Sequence, residues 1–313
     1  MNDKHLKNKT EKVLIAEDDI VSAKILEKNI RDWGYEVVLA NNGEKAWDLF
    51  NKNEMRLVIL DWMMPKISGI TLCRKIRQKK KDKYVYIILL TSKDNPEDLL
   101  KGFLAGADDY ITKPFNSLEL KARLQTGKRI IDLQRQLREQ ATRDGLTGLL
   151  NRKAILQALE EELHKGLREN KPVTSMLLDI DHFKKANDTH GHNVGDAVLI
   201  EIANRLKKSF RPYDKIGRYG GDEFLLILPN CGILEARKIA ERIRSAVCRE
   251  KINTDVGPLS ITISLGGATS ESQPQISAKN LIQNSDKALY NAKNNGRNCT
   301  LFDEIDQSLR YSQ

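Results

Sequence analysis

Three consecutive carboxylates, Glu17, Asp18 and Asp19, follow the first apolar run of the sequence, and Asp61 follows the third. Carboxylates gathered in one place repel unless a hard cation sits among them, and Mg2+ suits such an oxygen-lined pocket. Thr91 ends the fourth apolar run and Lys113-Pro114 follows the fifth. An acid cluster, a lone aspartate, a hydroxyl and an ammonium fit phosphoryl transfer onto a carboxylate better than proton chemistry.

A second set lies further along. RYGGDEF at 218–224 is the most specific string in the chain. Gly220 and Gly221 let a backbone approach phosphates closely, and Asp222 and Glu223 offer oxygen ligands to a metal. A Gly-Gly-Asp turn alone is a weak signal, but it has companions. Asp179 ends an apolar run, Lys184 follows it, and Lys293 and Arg297 provide cations suited to a triphosphate tail. Asn187 and Asp196 complete the polar set; a carboxylate accepts from the N1 and amino hydrogens of guanine, which adenine does not offer.

Such residues need a scaffold that brings strand ends together. Through residue 115, apolar runs alternate with amphipathic stretches, which predicts an α/β domain with a five-stranded parallel, doubly wound, flavodoxin-like sheet. Its strands are expected at 13–16, 35–40, 56–60, 84–91 and 108–111, with helices beginning near Ile20, Glu44, Ile70 and Glu97. Ligands of such sheets gather at the carboxyl ends of the strands, where the acids, Thr91 and Lys113 fall. A long helical stretch then starts at Ser117, read as its N-cap. It reads as a connecting stalk or short coiled coil, or as a last helix followed by a flexible linker. After Asp144, strands are expected at 173–180, 214–219, 224–228 and 259–265 and helices at 152–168, 194–209, 232–248 and 278–294, an α+β domain with a mainly antiparallel sheet. Gly220-Gly221 reads as the turn of a hairpin in it. The resulting division is a tail at 1–11, a first domain at 12–125, a helical linker at 126–143, a second domain at 144–305 and a tail at 306–313.

Composition narrows the function. The 313 residues carry 52 Lys plus Arg against 43 Asp plus Glu, a net charge of +9. Residues 1–140 hold 27 bases and 21 acids and residues 141–313 hold 25 and 22, so neither half is a basic domain. With no zinc-finger spacing or helix-turn-helix unit, a DNA partner is not expected. The dense run Lys79-Lys80-Lys81-Asp82-Lys83 reads as a solvated loop. No apolar run approaches the roughly 18 residues of a membrane span, and the first residues lack the apolar core of a signal peptide. Cys73, Cys231, Cys248 and Cys299 lack any CxxC pairing and read as reduced thiols of a cytoplasmic protein.

Residues 12–125 resemble the receiver domain of two-component response regulators. The resemblance implies that Asp61 in DWMMP is the phosphoacceptor, and that Glu17, Asp18, Asp61 and the carbonyl of Met63 hold Mg2+. It further implies that Thr91 and Lys113 contact the phosphoryl group, that Tyr110 is the switch aromatic, and that the Lys113-Pro114 peptide is cis. The implied partner is a histidine kinase or phosphotransfer protein.

Residues 141–305, with the opening motif DGLTGLLNR at 144–152, resemble the GGDEF domain of diguanylate cyclases, a nucleotidyl-cyclase-like fold. The family joins two GTP into cyclic di-GMP and releases two pyrophosphates. The resemblance implies two Mg2+ ions, or Mn2+ in their place, held by Asp179, the carbonyl of Ile180, Asp222 and Glu223. Asp222 is then the proton acceptor, with Glu223 beside it and Lys184 stabilising charge. Asn187 and Asp196 bind guanine, and Gly220, Gly221, Lys293 and Arg297 the phosphates. Arg211-Pro-Tyr-Asp214 stands where the family carries an inhibitory product site, and Arg242 matches a second arginine of it. Because the product is two-fold symmetric, the resemblance implies a homodimer when active, set by phosphorylation through the helix from Ser117.

Overall fold

The computed structural model describes residues 10–79, 83–92 and 95–303. The expected tails, apart from residues 10 and 11, and positions 80–82 of the lysine-rich loop lie outside the described residues. The chain divides into two compact units, Met1–Arg138 and Glu139–Gln313.

The first unit is a five-stranded sheet, β1 (Lys12–Ala16), β2 (Glu36–Ala40), β3 (Leu57–Asp61), β4 (Tyr86–Thr91) and β5 (Asp109–Thr112), ordered β2-β1-β3-β4-β5. All four pairings are parallel. Helices α1 (Ile20–Asp32), α2 (Gly43–Lys52), α3 (Gly69–Gln78) and α4 (Pro96–Leu104) alternate with the strands. A parallel sheet covered on both faces needs apolar residues at every position. Accordingly Leu14 and Leu60 join one core layer while Val13, Ile15 and Ile59 join the other. Side-chain caps fix where the helices begin: Asp19, Asn42 and Ser68 accept from the backbone N–H three residues on, and Asn95 from that of Glu97, two residues on, in the first turn of α4.

Helix α5 (Ser117–Thr142) is continuous over 26 residues, so its second half is helix and not a flexible linker. Its start corrects the expectation at Ser117. The capping oxygen is Oδ1 of Asn116, which accepts from Leu118 N at 2.8 Å and Glu119 N at 3.4 Å; placed one residue before the helix, that oxygen reaches two of its free N–H donors. Leu120, Leu124, Gly127 and Ile131 form its buried stripe. Gly127 is required by close approach, because a Cβ there would lie 2.4 Å from Cδ1 of Tyr86.

In the second unit, β6 (Val173–Ile180) is the central strand of a sheet completed by β7 (Lys215–Arg218), β8 (Glu223–Pro229), β11 (Ile263–Thr269) and β12 (Thr300–Phe302), ordered β12-β11-β6-β8-β7. Only β11–β12 is parallel. Helices α6 (Arg152–Glu169), α7 (Phe183–His190), α8 (His192–Ser209), α9 (Ile233–Cys248) and α10 (Ala278–Asn294) accompany it, and β9 (Ile252–Thr254) pairs with β10 (Gly257–Leu259) in a small hairpin.

The expected strand at 259–265 is displaced. Residues 257–259 belong to β10, turned by Gly257 at φ +106°, and β11 runs on to Thr269 through Gly266-Gly267. Glycine weakens a strand signal, yet here it is obligatory: a Cβ on Gly266 would lie 1.9 Å from Leu289 N on α10. Helix α7 is an additional element, separated from α8 by Gly191 at φ +85°, and β12, at three residues, is too short to carry a periodic signal.

Candidate functional site

In the first unit, parallel pairing brings the carboxyl ends of β1, β3 and β4 to one edge, with the residues after β5 beside them. Oxygens of Glu17, Asp18 and Asp61 lie within 4.8 Å of one another. Glu17 and Asp61 are buried and Asp18 is exposed. The third acid of the run does not join them: Asp19 Oδ2 accepts from Ser22 N at 2.8 Å as the cap of α1. Lys113 Nζ lies 2.7 Å from Glu17 Oε2 and 2.9 Å from Asp61 Oδ2. Burial pushes the Glu17 carboxyl up and Asp61 adds to this, while hydrogen bonding from Lys113 opposes it. Burial works against the Lys113 charge, but its hydrogen bonds to Glu17 and Asp61 outweigh that and hold its pKa above the ordinary lysine value. Such an all-oxygen donor set suits a hard cation such as Mg2+.

Thr91 is buried at the end of β4, and its carbonyl accepts from Lys113 N at 2.7 Å. Met63 follows Asp61 with its side chain exposed and its N–H 3.4 Å from Asp61 Oδ1. Tyr110 meets Phe103 of α4 edge to face, centroids 5.6 Å apart. The Lys113–Pro114 peptide is cis. Sequence reasoning passed over Asp109, buried beside Tyr110, whose Oδ2 lies 3.2 Å from Arg123 of α5. An aspartate at each of two successive positions, 108 and 109, was its only signal.

In the second unit, antiparallel register sets Asp179 on β6 directly opposite Glu223 on β8. Like charges in a cross-strand pair destabilise each other. Both carboxyls are pushed up, first by burial; Asp179 is opposed by Lys293 and further raised by Asp222, while Glu223 is further raised by Asp179. Lys293 Nζ, on the last turn of α10, lies 2.7 Å from Asp179 Oδ2. Asp222 is half-buried at the turn, and Tyr219 N and Gly220 N both donate to the Glu223 carbonyl, at 2.8 and 3.3 Å. Gly220 leaves room for Glu223, since a Cβ there would be 2.7 Å from its Oε2. Ile180 ends β6, buried. Among the described residues only Glu17, Asp18 and Asp61 bring three carboxylates within 4.8 Å of one another; here the facing Asp179 and Glu223 beside the Gly-Gly turn offer the oxygen ligands that a hard divalent cation takes.

Lys184 and Asn187 lie on α7 and Asp196 on the first turns of α8. The Asn187 side chain is packed against Gly195, where a Cβ would fall 1.8 Å from its Oδ1. That Oδ1 is buried with no hydrogen-bond partner among the described residues, a demand a ligand can meet. Arg297, exposed, follows α10 with φ +64°.

Arg211, Asp214 and Arg242 come together. Arg211 N donates to Asp214 Oδ2 at 2.9 Å, Arg242 Nη2 donates to Ser209 O at 3.1 Å, and both guanidiniums act on the Asp214 carboxyl, which burial nevertheless pushes up. Arg211 also pairs with Glu235 at 3.0 Å and with the Tyr213 hydroxyl at 2.9 Å, partners that sequence spacing did not disclose.

Arg218 was likewise passed over. Its Nε and Nη2 donate to the Gly221 carbonyl at 3.1 and 2.7 Å, and its Nη1 reaches both oxygens of Asp144 at 3.3 Å. One guanidinium therefore braces the Gly-Gly turn to the DGLTGLLNR motif. Burial works against the Asp144 charge, but hydrogen bonds from Thr147 and the Arg218 charge hold its carboxyl below the ordinary range.

Comparison with known proteins agrees with this division. The family model for the diguanylate cyclase GGDEF domain matches residues 141–299, and that for the response regulator receiver domain matches residues 13–125. Response regulator PleD of Caulobacter vibrioides is 32% identical over 273 residues, covering 84% of this chain and 60% of that protein. Diguanylate cyclase DosC of Escherichia coli is 38% identical over 191 residues, 58% of this chain and 41% of that one. The chain thus spans about three fifths or less of the length of these curated relatives. Among solved structures, the coiled coil and GGDEF domain of DgcB from Caulobacter crescentus, in complex with c-di-GMP, matches at 32% identity and a TM-score of 0.54, covering 60% of this chain and 100% of that one. Diguanylate cyclase SiaD of Pseudomonas aeruginosa, in complex with its activator SiaC, matches at 37% identity and a TM-score of 0.51, covering 59% of this chain and 71% of that one. With the receiver-domain match at 13–125 followed by the GGDEF match at 141–299, the chain belongs to the GGDEF family of diguanylate cyclases, in its response regulator form.

Proposed function

We propose that the protein is a phosphorylation-activated diguanylate cyclase that condenses two GTP into cyclic di-GMP and two pyrophosphates. The observation that carries this is the cross-strand pair Asp179–Glu223 beside the Gly220-Gly221 turn, with Lys293 2.7 Å from Asp179. A buried and a half-buried carboxylate forced together by register need cationic charge, and a nucleotide's Mg2+ meets that need. Asp179, the carbonyl of Ile180, Asp222 and Glu223 would hold it. When bound, Mg2+ supplies the positive charge that stabilises the α-phosphate and the departing pyrophosphate.

The chain's own residues do the rest. Asn187 and Asp196 accept from and orient guanine, Lys293 and Arg297 hold the β- and γ-phosphates, and the two glycines let the turn approach them. Asp222 accepts the proton of the attacking 3′-hydroxyl as its oxygen bonds to the α-phosphorus and pyrophosphate leaves, with Lys184 balancing the added charge. Each domain holds one GTP, so two copies facing each other complete the product.

Control comes from the receiver. Asp61 takes a phosphoryl group from a histidine kinase or phosphotransfer protein, Mg2+ being held by Glu17, Asp18, Asp61 and the Met63 carbonyl. Lys113 and Thr91 contact the phosphoryl oxygens, Tyr110 turns inward, and α5 carries the change onward through the dimer. Arg211, Asp214 and Arg242 bind the product and inhibit. The setting is bacterial two-component signalling in the cytoplasm, without a DNA or membrane partner.

The test is pyrophosphate release from GTP by the full chain after treatment with a small acyl phosphate, with the product identified in mixed GTP and ATP. Release with cyclic di-GMP as product, lost in Asp222→Ala while its unfolding transition is kept, supports the reading. No release, or release unaffected by Asp222→Ala, overturns it.

A further inference from the structure

Asp181 lies two residues beyond Asp179 and is 5% exposed. Its Oδ2 accepts from Thr262 Oγ1 at 2.7 Å and Asn298 N at 3.0 Å, and its Oδ1 from Ser264 Oγ at 2.7 Å. One carboxylate therefore joins the end of β6, the start of β11 and the loop after α10. With its oxygens committed to three neutral donors, it differs from Asp179, whose carboxylate faces Lys293.

The loop it holds has an unusual backbone. Gly296, Arg297 and Asn298 all have positive φ, at +98°, +64° and +48°. Gly296 is the left-handed residue that closes α10, with Arg297 N donating back to Ala292 O at 3.2 Å. The next two residues are not glycine, and L side chains keep this conformation only where surroundings impose it. Those surroundings are Asp181 on the Asn298 backbone and, on its side chain, Arg244 and Cys248, whose Nη1 and Sγ donate to Asn298 Oδ1 at 2.6 and 3.4 Å. Arg297 itself is exposed and sits between the Gly296 turn and this doubly held asparagine.

We propose that Asp181 is a positioning residue for the triphosphate: it fixes the left-handed turn that presents Arg297, and ties that turn to the strand carrying Asp179. This rests on the proposed function for what Arg297 binds. A guanidinium discriminates a phosphate chain by direction as well as charge, so a loop free to relax to ordinary φ values would keep the charge and lose the aim.

The experiment is calorimetric titration of the full chain, in Mg2+, with the non-reacting α,β-methylene analogue of GTP and with GMP. The proteins are the unaltered chain, Asp181→Ala, Arg297→Ala, the double variant and Asp181→Asn. Asp181→Ala is expected to weaken the triphosphate analogue about tenfold, in proportion to a lost charge-assisted contact, and GMP by less than about twofold. The double variant should bind no more weakly than Arg297→Ala, because the two act through one contact. Asp181→Asn keeps an acceptor for Asn298 N, with the Ser264 hydroxyl turned to accept its amide, and should recover most of the loss. Equal losses for GMP and the triphosphate would overturn the inference as a general folding defect. Losses that add to those of Arg297→Ala, or an Asp181→Asn as weak as Asp181→Ala, would overturn it in favour of charge or metal ligation. If Arg297→Ala binds normally, the inference fails while the cyclase reading stands; if the unaltered chain binds neither nucleotide, the cyclase reading itself fails.

Discussion

Lys113 Nζ bridges Asp61 Oδ2 at 2.9 Å and Glu17 Oε2 at 2.7 Å, so a single ammonium sits between two buried carboxylates from different strands. Its side chain is 20% exposed and that of Glu17 is fully buried. Removing a partner from such a group leaves buried charge uncompensated.

Lys113→Ala is therefore expected to lower the stability of the receiver by roughly 2–4 kcal/mol. The loss should shrink in millimolar Mg2+, which replaces the missing cation among Glu17, Asp18 and Asp61. Urea unfolding of the full chain with and without Mg2+ measures both; an equal loss in the two conditions would mean that the cation does not enter this site.

Asp61→Asn should abolish acyl phosphorylation. Intact mass after incubation with acetyl phosphate and Mg2+ should show one added phosphoryl group on the unaltered chain and none on the variant. Trp62 gives a parallel optical readout, since its side chain is buried beside Gly102 of α4, whose Cβ would lie 3.3 Å from Trp62 Cζ3. Its fluorescence should change on phosphorylation and stay constant in Asp61→Asn.

Gly195→Ala separates base binding from stability. Alanine in place of glycine favours a helix by about 1 kcal/mol, so α8 should not suffer on that account. The new methyl would fall 1.8 Å from Asn187 Oδ1 and drive that side chain out of place. We expect GTP affinity to fall about tenfold or more, the worth of a lost base contact, while far-ultraviolet dichroism is unchanged. Unaltered affinity would remove Asn187 from the base site.

The Arg218–Asp144 brace carries a pH signature. The Asp144 carboxyl is held below its ordinary value of 3.8, so its ionised form contributes stability above that value, and the contribution is lost as pH falls through the lowered value of the folded state. The stability difference between the unaltered chain and Asp144→Asn should be full at neutral pH and vanish in acid, as followed by urea unfolding across pH. A difference independent of pH would mean that the brace works by shape and not by charge. Arg218→Ala, which also frees the Gly221 carbonyl, should lower kcat for pyrophosphate release more than it raises KM.

Much of the chemistry was legible before any fold was known, because it is local. In a parallel sheet the ends of β1, β3, β4 and β5 share an edge whatever the details, so Glu17, Asp61, Thr91 and Lys113 were bound to meet. RYGGDEF is likewise a hairpin written in adjacent residues. The start of α5 was misplaced by one residue because Asn116 caps it from the position before Ser117, and α7, which no side chain caps, was missed.

What the tertiary structure alone decided depends on partners distant in sequence. Strand register made Asp179 and Glu223 face each other. Two glycines lie inside a strand that periodicity ended at 265 because a Cβ on Gly266 would lie 1.9 Å from Leu289 N of α10 and one on Gly267 would lie 2.3 Å from the Phe302 ring of β12. Arg218 differs from any surface arginine only because Asp144, 74 residues earlier, lies opposite. Asp181, two residues from Asp179, has nothing in its spacing to set it apart; only the arrival of Asn298, 117 residues later, gives that carboxylate a separate task. Composition and short spacing determine which groups are available, whereas the geometry of long-range hydrogen bonds determines which of them are free to react and which hold the others in place.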